Sequence, residues 1–284
     1  MTDLPTTDCL TRWAEDARLF ASQPSEENDT ALTLMIADFE YAYDSDRHAA
    51  YRVAEGKAAE QRVRWPFHRI AATSWLTLRF VPGKTVPEIE DPVVLSARTM
   101  TEAQQVEQFF EALRAAPQAR LVTWGGEAKD LAALRTASMM HDLVLPVQTA
   151  DLHPRSRHRL DLCQTSSVAA SSVHLPELAA ALSIPAKPTA SKDIGALVEN
   201  ADWGKVEDQV LADVVTTTIL TIYQLAILGQ VTCKRAATLL ALSERLKRSH
   251  PNSAFCARNL APWARARHAE AGLKGHVFRT LEPV

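Results

Sequence analysis

The chain has 284 residues, 46% of them hydrophobic, with a formal net charge of −3. That composition belongs to a folded domain and excludes a disordered tail, a collagen-like repeat or a disulfide-stapled miniature. No uninterrupted apolar run reaches the ~18 residues of a membrane span, and the acidic start MTDLPTTDCLTRW lacks the apolar stretch of a signal peptide, so a cytoplasmic protein without membrane attachment is expected. Cys9, Cys163, Cys233 and Cys256 are far apart and form no CxxC pair, which reads as free thiols.

Residues 1–30 read as a short helix (Leu10 to Ala21) followed by a polar linker. LTLMIADFEY (32–41) is the first strand, and the polar stretch from Asp44 to Trp65 reads as a loop or exposed excursion. FHRIAATSWLTLRF (67–80) has the β-branched and aromatic content of one or two strands, and VVLSART (93–99) of another. TEAQQVEQFFEALRAA (101–116) opens with a Thr N-cap and carries apolar residues at helical spacing. ARLVTW (119–124) is a short buried strand, which Gly125-Gly126 turns into the helix EAKDLAALRTASMM. HRLDL (158–162) is a short acidic strand, and HLPELAAALSI (174–184) is a helix stopped by Pro185 and Pro188. The apolar run at 205–228 is long enough for a buried helix, although its Val, Thr and Ile content would also suit a strand. TCKRAATLLALSERLKRSH (232–250) is an amphipathic basic helix. Strands followed by interleaved helices make an α/β domain. The expected division is an N-terminal helix and linker (1–30), a central domain (31–230) and a basic helical extension (231–284).

Three acidic positions need an explanation. Residues i and i+2 of a strand share a face, so Asp38 and Glu40 project together while Phe39 points the other way. Two adjacent carboxylates repel and lose solvation; a divalent cation with a preference for hard oxygen ligands compensates both costs. A strand end emerging into water is the alternative. Asp130 follows the Gly-Gly turn near a helix start, where it would in any case complement the helix dipole. Asp213 lies amid Val210, Val214 and Leu220 in an apolar helix, an unfavourable place for a carboxylate without a partner.

From Leu32 to about Leu228, these segments resemble the DEDD superfamily of 3′–5′ exonucleases, in the branch of predicted exonucleases related to the exonuclease domain of family-B DNA polymerases. Asp38 and Glu40 in IADFE look like its first motif, Asp130 in LVTWGGEAKDLAALR like its second, and Asp213 in QVLADVVTT like its last. Asp161 in HRLDL and the segment HLPELAAALSIPAKPTASKDIGALV resemble the intervening strand, small helix and Lys/Gly loop. The resemblance implies a ribonuclease-H-like fold: a mixed central sheet flanked by helices, here with a helical C-terminal extension. It implies two Mg²⁺ or Mn²⁺ ions, with Asp38 bridging both, Glu40 and Asp213 completing one site and Asp130 holding the second. The partner would be the 3′ end of DNA or RNA, met by Trp124 as a stacking surface and by Gly126, Lys187 and Lys192.

The sequence also departs from the family. The usual tyrosine four residues before the last aspartate is Gln209, which hydrogen-bonds water or phosphate but takes no proton; the sister branch's histidine is Asp208. Gly125 replaces a common asparagine, and Lys129 replaces an apolar residue. Two functions therefore stand: a metal-dependent exonuclease, or a weakened or inactive nucleic-acid-binding or interaction module on the same fold.

From Val231 onward there are ten Lys and Arg against three Glu, a balance of +7 that leaves −10 for residues 1–230. Arg245, Lys247 and Arg248 would make a backbone-tracking stripe. Alternatively, the face with Leu239, Leu240, Leu242 and Leu246 packs on the core, on a second subunit of a homo-oligomer or on another protein.

Overall fold

The computed structural model describes residues 31–153, 156–166, 173–187 and 193–273. The helix expected at 10–21, Lys192 and the end of the basic extension lie outside them.

Strand β1 (Leu32–Tyr43) is the centre of a six-stranded mixed sheet. It pairs antiparallel with β2 (His68–Phe80), a single long strand, over its whole length. The short β3 (Glu88–Ile89) and β4 (Val93–Ser96) both add antiparallel to β2. On the other side β1 runs parallel to β5 (Arg120–Thr123), which runs parallel to β6 (Arg159–Asp161). Helices pack on the sheet and a helical region follows it, which is the ribonuclease-H-like arrangement.

The alternation of β1 builds two cores. Leu34 and Ile36 face helix α8 (Trp203–Ile227), together with Leu76 and Leu78 of β2. Met35, Ala37, Phe39 and Tyr41 face α2 (Glu102–Ala115) and α3 (Asp130–His141), where Phe39 meets Phe109 edge-on at 5.3 Å between ring centres. Thr101 caps α2 in a capping box with Gln104. By length and composition α8 is apolar enough to cross a membrane, but most of it is buried against the sheet.

The polar stretch expected as a loop contains a helix, α1 (Ser45–Glu55). Asp44 caps it by accepting from the Arg47 backbone N–H, and Gly56 ends it at φ 57°. Its few ring side chains, His48 and Tyr51, stack on each other and pack tilted against Phe67, so it needs little aliphatic surface. At the other end of the chain, α9 (Arg235–Ser249) buries Leu239, Leu242 and Leu246 in the core shared with α8, and α10 (Ala261–Leu273) adds Ala264. Three of the four leucines of α9 thus pack within the chain, and Leu240 is half-buried.

Candidate metal centre and its cleft

β1 outruns its parallel neighbour: β5 pairs with it only over Leu34 to Ile36. Asp38 and Glu40 lie just past that point, on the face turned to α8. At the carboxyl ends of parallel strands an open sheet leaves a crevice, and here a cleft of about 560 Å³ opens, lined by Asp38, Glu40, Tyr41, Asp130, Lys187 and Asp213 among others.

Asp38, Glu40 and Asp213 each place a carboxylate oxygen within 4.8 Å of the others. Burial and the charges of Asp213, Glu40 and Asp130 hold the Asp38 carboxyl well above its ordinary pKa. Burial likewise lifts Glu40 to about 7, against the pull of Lys187. Glu40 Oε1 and Asp213 Oδ1 are buried and, among the described residues, accept no hydrogen bond. Crowded hard oxygens with unused lone pairs fit a divalent cation.

Asp130 lines the same cleft but stands outside this group of three. It is the first residue of α3, and Tyr41 donates its hydroxyl to Asp130 Oδ1 at 2.7 Å. Burial raises Asp130 to about 6, partly offset by the Tyr41 hydrogen bond and by the charge of Lys129. Lys129 itself lies 3.9 Å over the Tyr41 ring. Burial and Asp130 together push the Tyr41 phenol well above its usual range.

The turn that delivers Asp130 is built by two unlike glycines. Gly125 has φ +72°. Gly126 lies so close to Thr123 that a Cβ there would come within 2.3 Å of its Oγ1, so the role of Gly126 in the structure is close packing of the turn. Asp161, at the end of β6, accepts from the backbone N–H of Gly125 (2.8 Å), Glu127 (3.0 Å) and Cys163 (3.0 Å). Arg159 beside it is buried, paired with Glu127 at 2.7 Å and donating to the carbonyls of Gln148, Asp151 and His153.

The other residues singled out from sequence are dispersed. Trp124 lines the cleft and donates its indole N–H to the Val173 carbonyl. Gln209, one helical turn before Asp213, is 1% exposed and does not line the cleft. Asp208 accepts from Ser253 and from the Phe255 backbone, tying α8 to the C-terminal region. Arg245 pairs with Asp91 at 2.6 Å, and Lys247 and Arg248 are exposed; none of the three lines the cleft. Lys187 does reach the cluster, with its ammonium 2.5 Å from Asp213 Oδ2 and 3.9 Å from Glu40 Oε1. Burial opposes that charge, but Asp213 and Glu40 outweigh it and raise the lysine pKa. Sequence reasoning missed Tyr41 as the partner of Asp130, although a phenol one residue past the first motif was the available signal.

Raised carboxyl pKa values predict how the metal effect varies with pH. Glu40 and Asp130 bind protons in the fold that they would release when unfolded, so their contribution is fully present below about pH 4 and is lost as pH rises through about 6 and 7. A cation on these oxygens must displace those protons. The rise in melting temperature caused by Mn²⁺ should therefore shrink as pH is lowered from about 8 to about 5. An increment independent of pH across that range would place the ion elsewhere.

No curated protein matches the chain. Among solved structures, the family B DNA polymerase from the hyperthermophilic archaeon Pyrobaculum calidifontis is similar at 12% identity and a TM-score of 0.48, over 84% of this chain and 29% of that one. A structure of exonuclease I is similar at 12% identity and a TM-score of 0.41, over 84% of this chain and 45% of that one. The zinc-bound complex of E. coli exonuclease I with single-stranded DNA is similar at 12% identity and a TM-score of 0.40, over 78% and 41%. The chain spans less than half the length of each. The family model described as a predicted 3′–5′ exonuclease related to the exonuclease domain of PolB matches residues 61–256. That match begins after the strand bearing Asp38 and Glu40 and runs past Asp213 into the C-terminal helices, whereas the resemblance seen in the sequence spans 32 to 228. Covering more than half of the 284 residues, it shows that the chain belongs to this family of predicted exonucleases related to the PolB exonuclease domain.

Proposed function

We propose that the protein is a metal-dependent 3′–5′ exonuclease that hydrolyses phosphodiester bonds of DNA or RNA with Mg²⁺ or Mn²⁺. The observation that carries this is the convergence of Asp38, Glu40 and Asp213 within 4.8 Å at the floor of a cleft; the direction of attack comes from the family. Asp38 is the member of the group of three on which the charges of Asp213, Glu40 and Asp130 all act. Asp38, Glu40 and Asp213 would hold one ion and Asp38 and Asp130 a second. Ions there would lower the pKa of a ligated water and neutralise charge on the scissile phosphate.

The chain's own residues do the rest. Tyr41 fixes the rotamer of Asp130 through its hydroxyl. Trp124 offers a partly exposed ring face at the cleft for a terminal base. Gln209 is buried away from the cleft, so no side chain at that position takes a proton from the attacking water. Lys247 and Arg248 supply phosphate contacts outside the cleft, and each contact made adds about one unit to the salt slope.

One test separates this from a binding module. Single-stranded DNA and RNA of one sequence, labelled at the 5′ end, are incubated with the protein and Mn²⁺. A ladder of products shortened from the 3′ end, absent in EDTA, is expected. Binding of the oligonucleotides without any cleavage would favour the second reading, which the lysine seated on the carboxylates and the buried Gln209 support.

A further inference from the structure

We propose that Lys187 is a built-in counter-ion of the carboxylate cluster, and that metal loading is an exchange in which its ammonium leaves Asp213 and Glu40 for the open cleft. This rests on the reading that Asp38, Glu40 and Asp213 take a divalent cation. Among the described residues, Lys187 is the one cation in ion-pair contact with the cluster, 2.5 Å from Asp213 Oδ2 and 3.9 Å from Glu40 Oε1, with its side chain 9% exposed. Lys129 is different: its ammonium lies over the Tyr41 ring and does not need to move.

The backbone that carries Lys187 is anchored to α8 and to the core. Thr216, three residues past Asp213 on α8, shares its one hydroxyl proton between the Ala212 carbonyl at 2.8 Å and the Pro185 carbonyl at 2.9 Å, and Ile184 is buried in the core. Lys187 is therefore presented to Asp213 from a fixed point two residues away. Its four-carbon stem has the rotamer freedom to swing between the carboxylates and the cleft that it also lines.

Charge decides against both cations sharing the site. A divalent ion ligated by Asp213 and Glu40 sits ~2 Å from their oxygens, where an ammonium at its present place would be a repelling neighbour within about 4 Å, poorly screened in a buried cluster. Among the described residues, Glu40 Oε1, 3.9 Å from the ammonium, and Asp213 Oδ1 accept no hydrogen bond, so one ammonium does not satisfy the cluster. The carboxylates hold Lys187 until a stronger cation arrives. Once displaced, the ammonium remains tethered beside the ion, where an anionic phosphate would meet it. Metal and substrate binding are thereby coupled through one side chain.

The test is Mn²⁺ titration of the full chain by calorimetry, comparing wild type with Lys187→Met and Lys187→Arg at one pH. Lys187→Met keeps the stem and removes the charge, so Mn²⁺ should bind roughly tenfold tighter or more. Lys187→Arg keeps the competitor and should stay close to wild type. Equal or weaker Mn²⁺ binding by Lys187→Met would overturn the exchange while leaving the metal site standing. No Mn²⁺ binding by any of the three would overturn the metal site and the exchange with it. A second measurement uses the wild type alone and so does not depend on the variant folding. An amine-acetylating reagent, read by mass spectrometry, should modify Lys187 faster with Mn²⁺ than in EDTA. Equal or slower modification with Mn²⁺ would contradict displacement.

Discussion

Replacing Asp38 by asparagine is expected to reduce hydrolysis by roughly three orders of magnitude or more, about 4 kcal/mol of barrier at 1.36 kcal/mol per tenfold. The same variant should melt, without metal, at the same temperature as the wild type or higher. Both halves follow from one arrangement. Asp38 stands next to Glu40 and Asp213 and feels Asp130 as well, so under the proposed function it would serve the whole site. Without ions its half-buried carboxyl lies among like charges, and desolvation and those neighbours raise its pKa. Asparagine keeps the shape and removes the repulsion. A metal-free variant that melted many degrees below the wild type would mean that the Asp38 carboxylate has a structural partner, and retained hydrolysis would move the chemistry elsewhere.

Asp161→Ala is expected to cost about 3 kcal/mol of stability, because the backbone N–H groups of Gly125, Glu127 and Cys163 all lose their acceptor and a buried, unpaired donor costs ~1–3 kcal/mol. For a chain of this size that is a fall of roughly 6–10 °C in melting temperature. Asp161→Asn keeps the oxygen that serves Gly125 and Cys163 and loses only the acceptor for Glu127, so about 1 kcal/mol is expected. Activity should fall with stability in both, since the turn that Asp161 ties down positions Asp130. An alanine variant within about 0.5 kcal/mol of wild type by denaturant titration would show that water replaces these bonds freely.

Some of this was legible in the sequence because the signals were local. The strand period alone put Asp38 and Glu40 on one face and Phe39 on the other, and β1 bears that out with Phe39 packed on Phe109. Asp213 announced itself as a carboxylate in an apolar helix, and Thr101 as a cap. What stayed hidden depends on contacts between distant residues. Tyr41 meets Asp130 across 89 positions and Asp161 meets Gly125 across 36, and no periodicity encodes such pairs. Lys187 reads from sequence as a nucleic-acid contact, because only the fold brings it to Asp213. The helix at Ser45–Glu55 escaped because its ring contacts carry no aliphatic stripe, although Asp44 before it and Gly56 after it are ordinary helix boundaries.

Crystals soaked in Mn²⁺ and measured for anomalous scattering would show whether Asp38, Glu40 and Asp213 form a divalent metal centre. An anomalous peak ligated by Asp38, Glu40 and Asp213, with Lys187 turned away from Asp213, is the predicted result. Carboxylates still paired to Lys187, with no peak between Asp38 and Asp213 at a Mn²⁺ concentration that occupies other sites in the crystal, would contradict it.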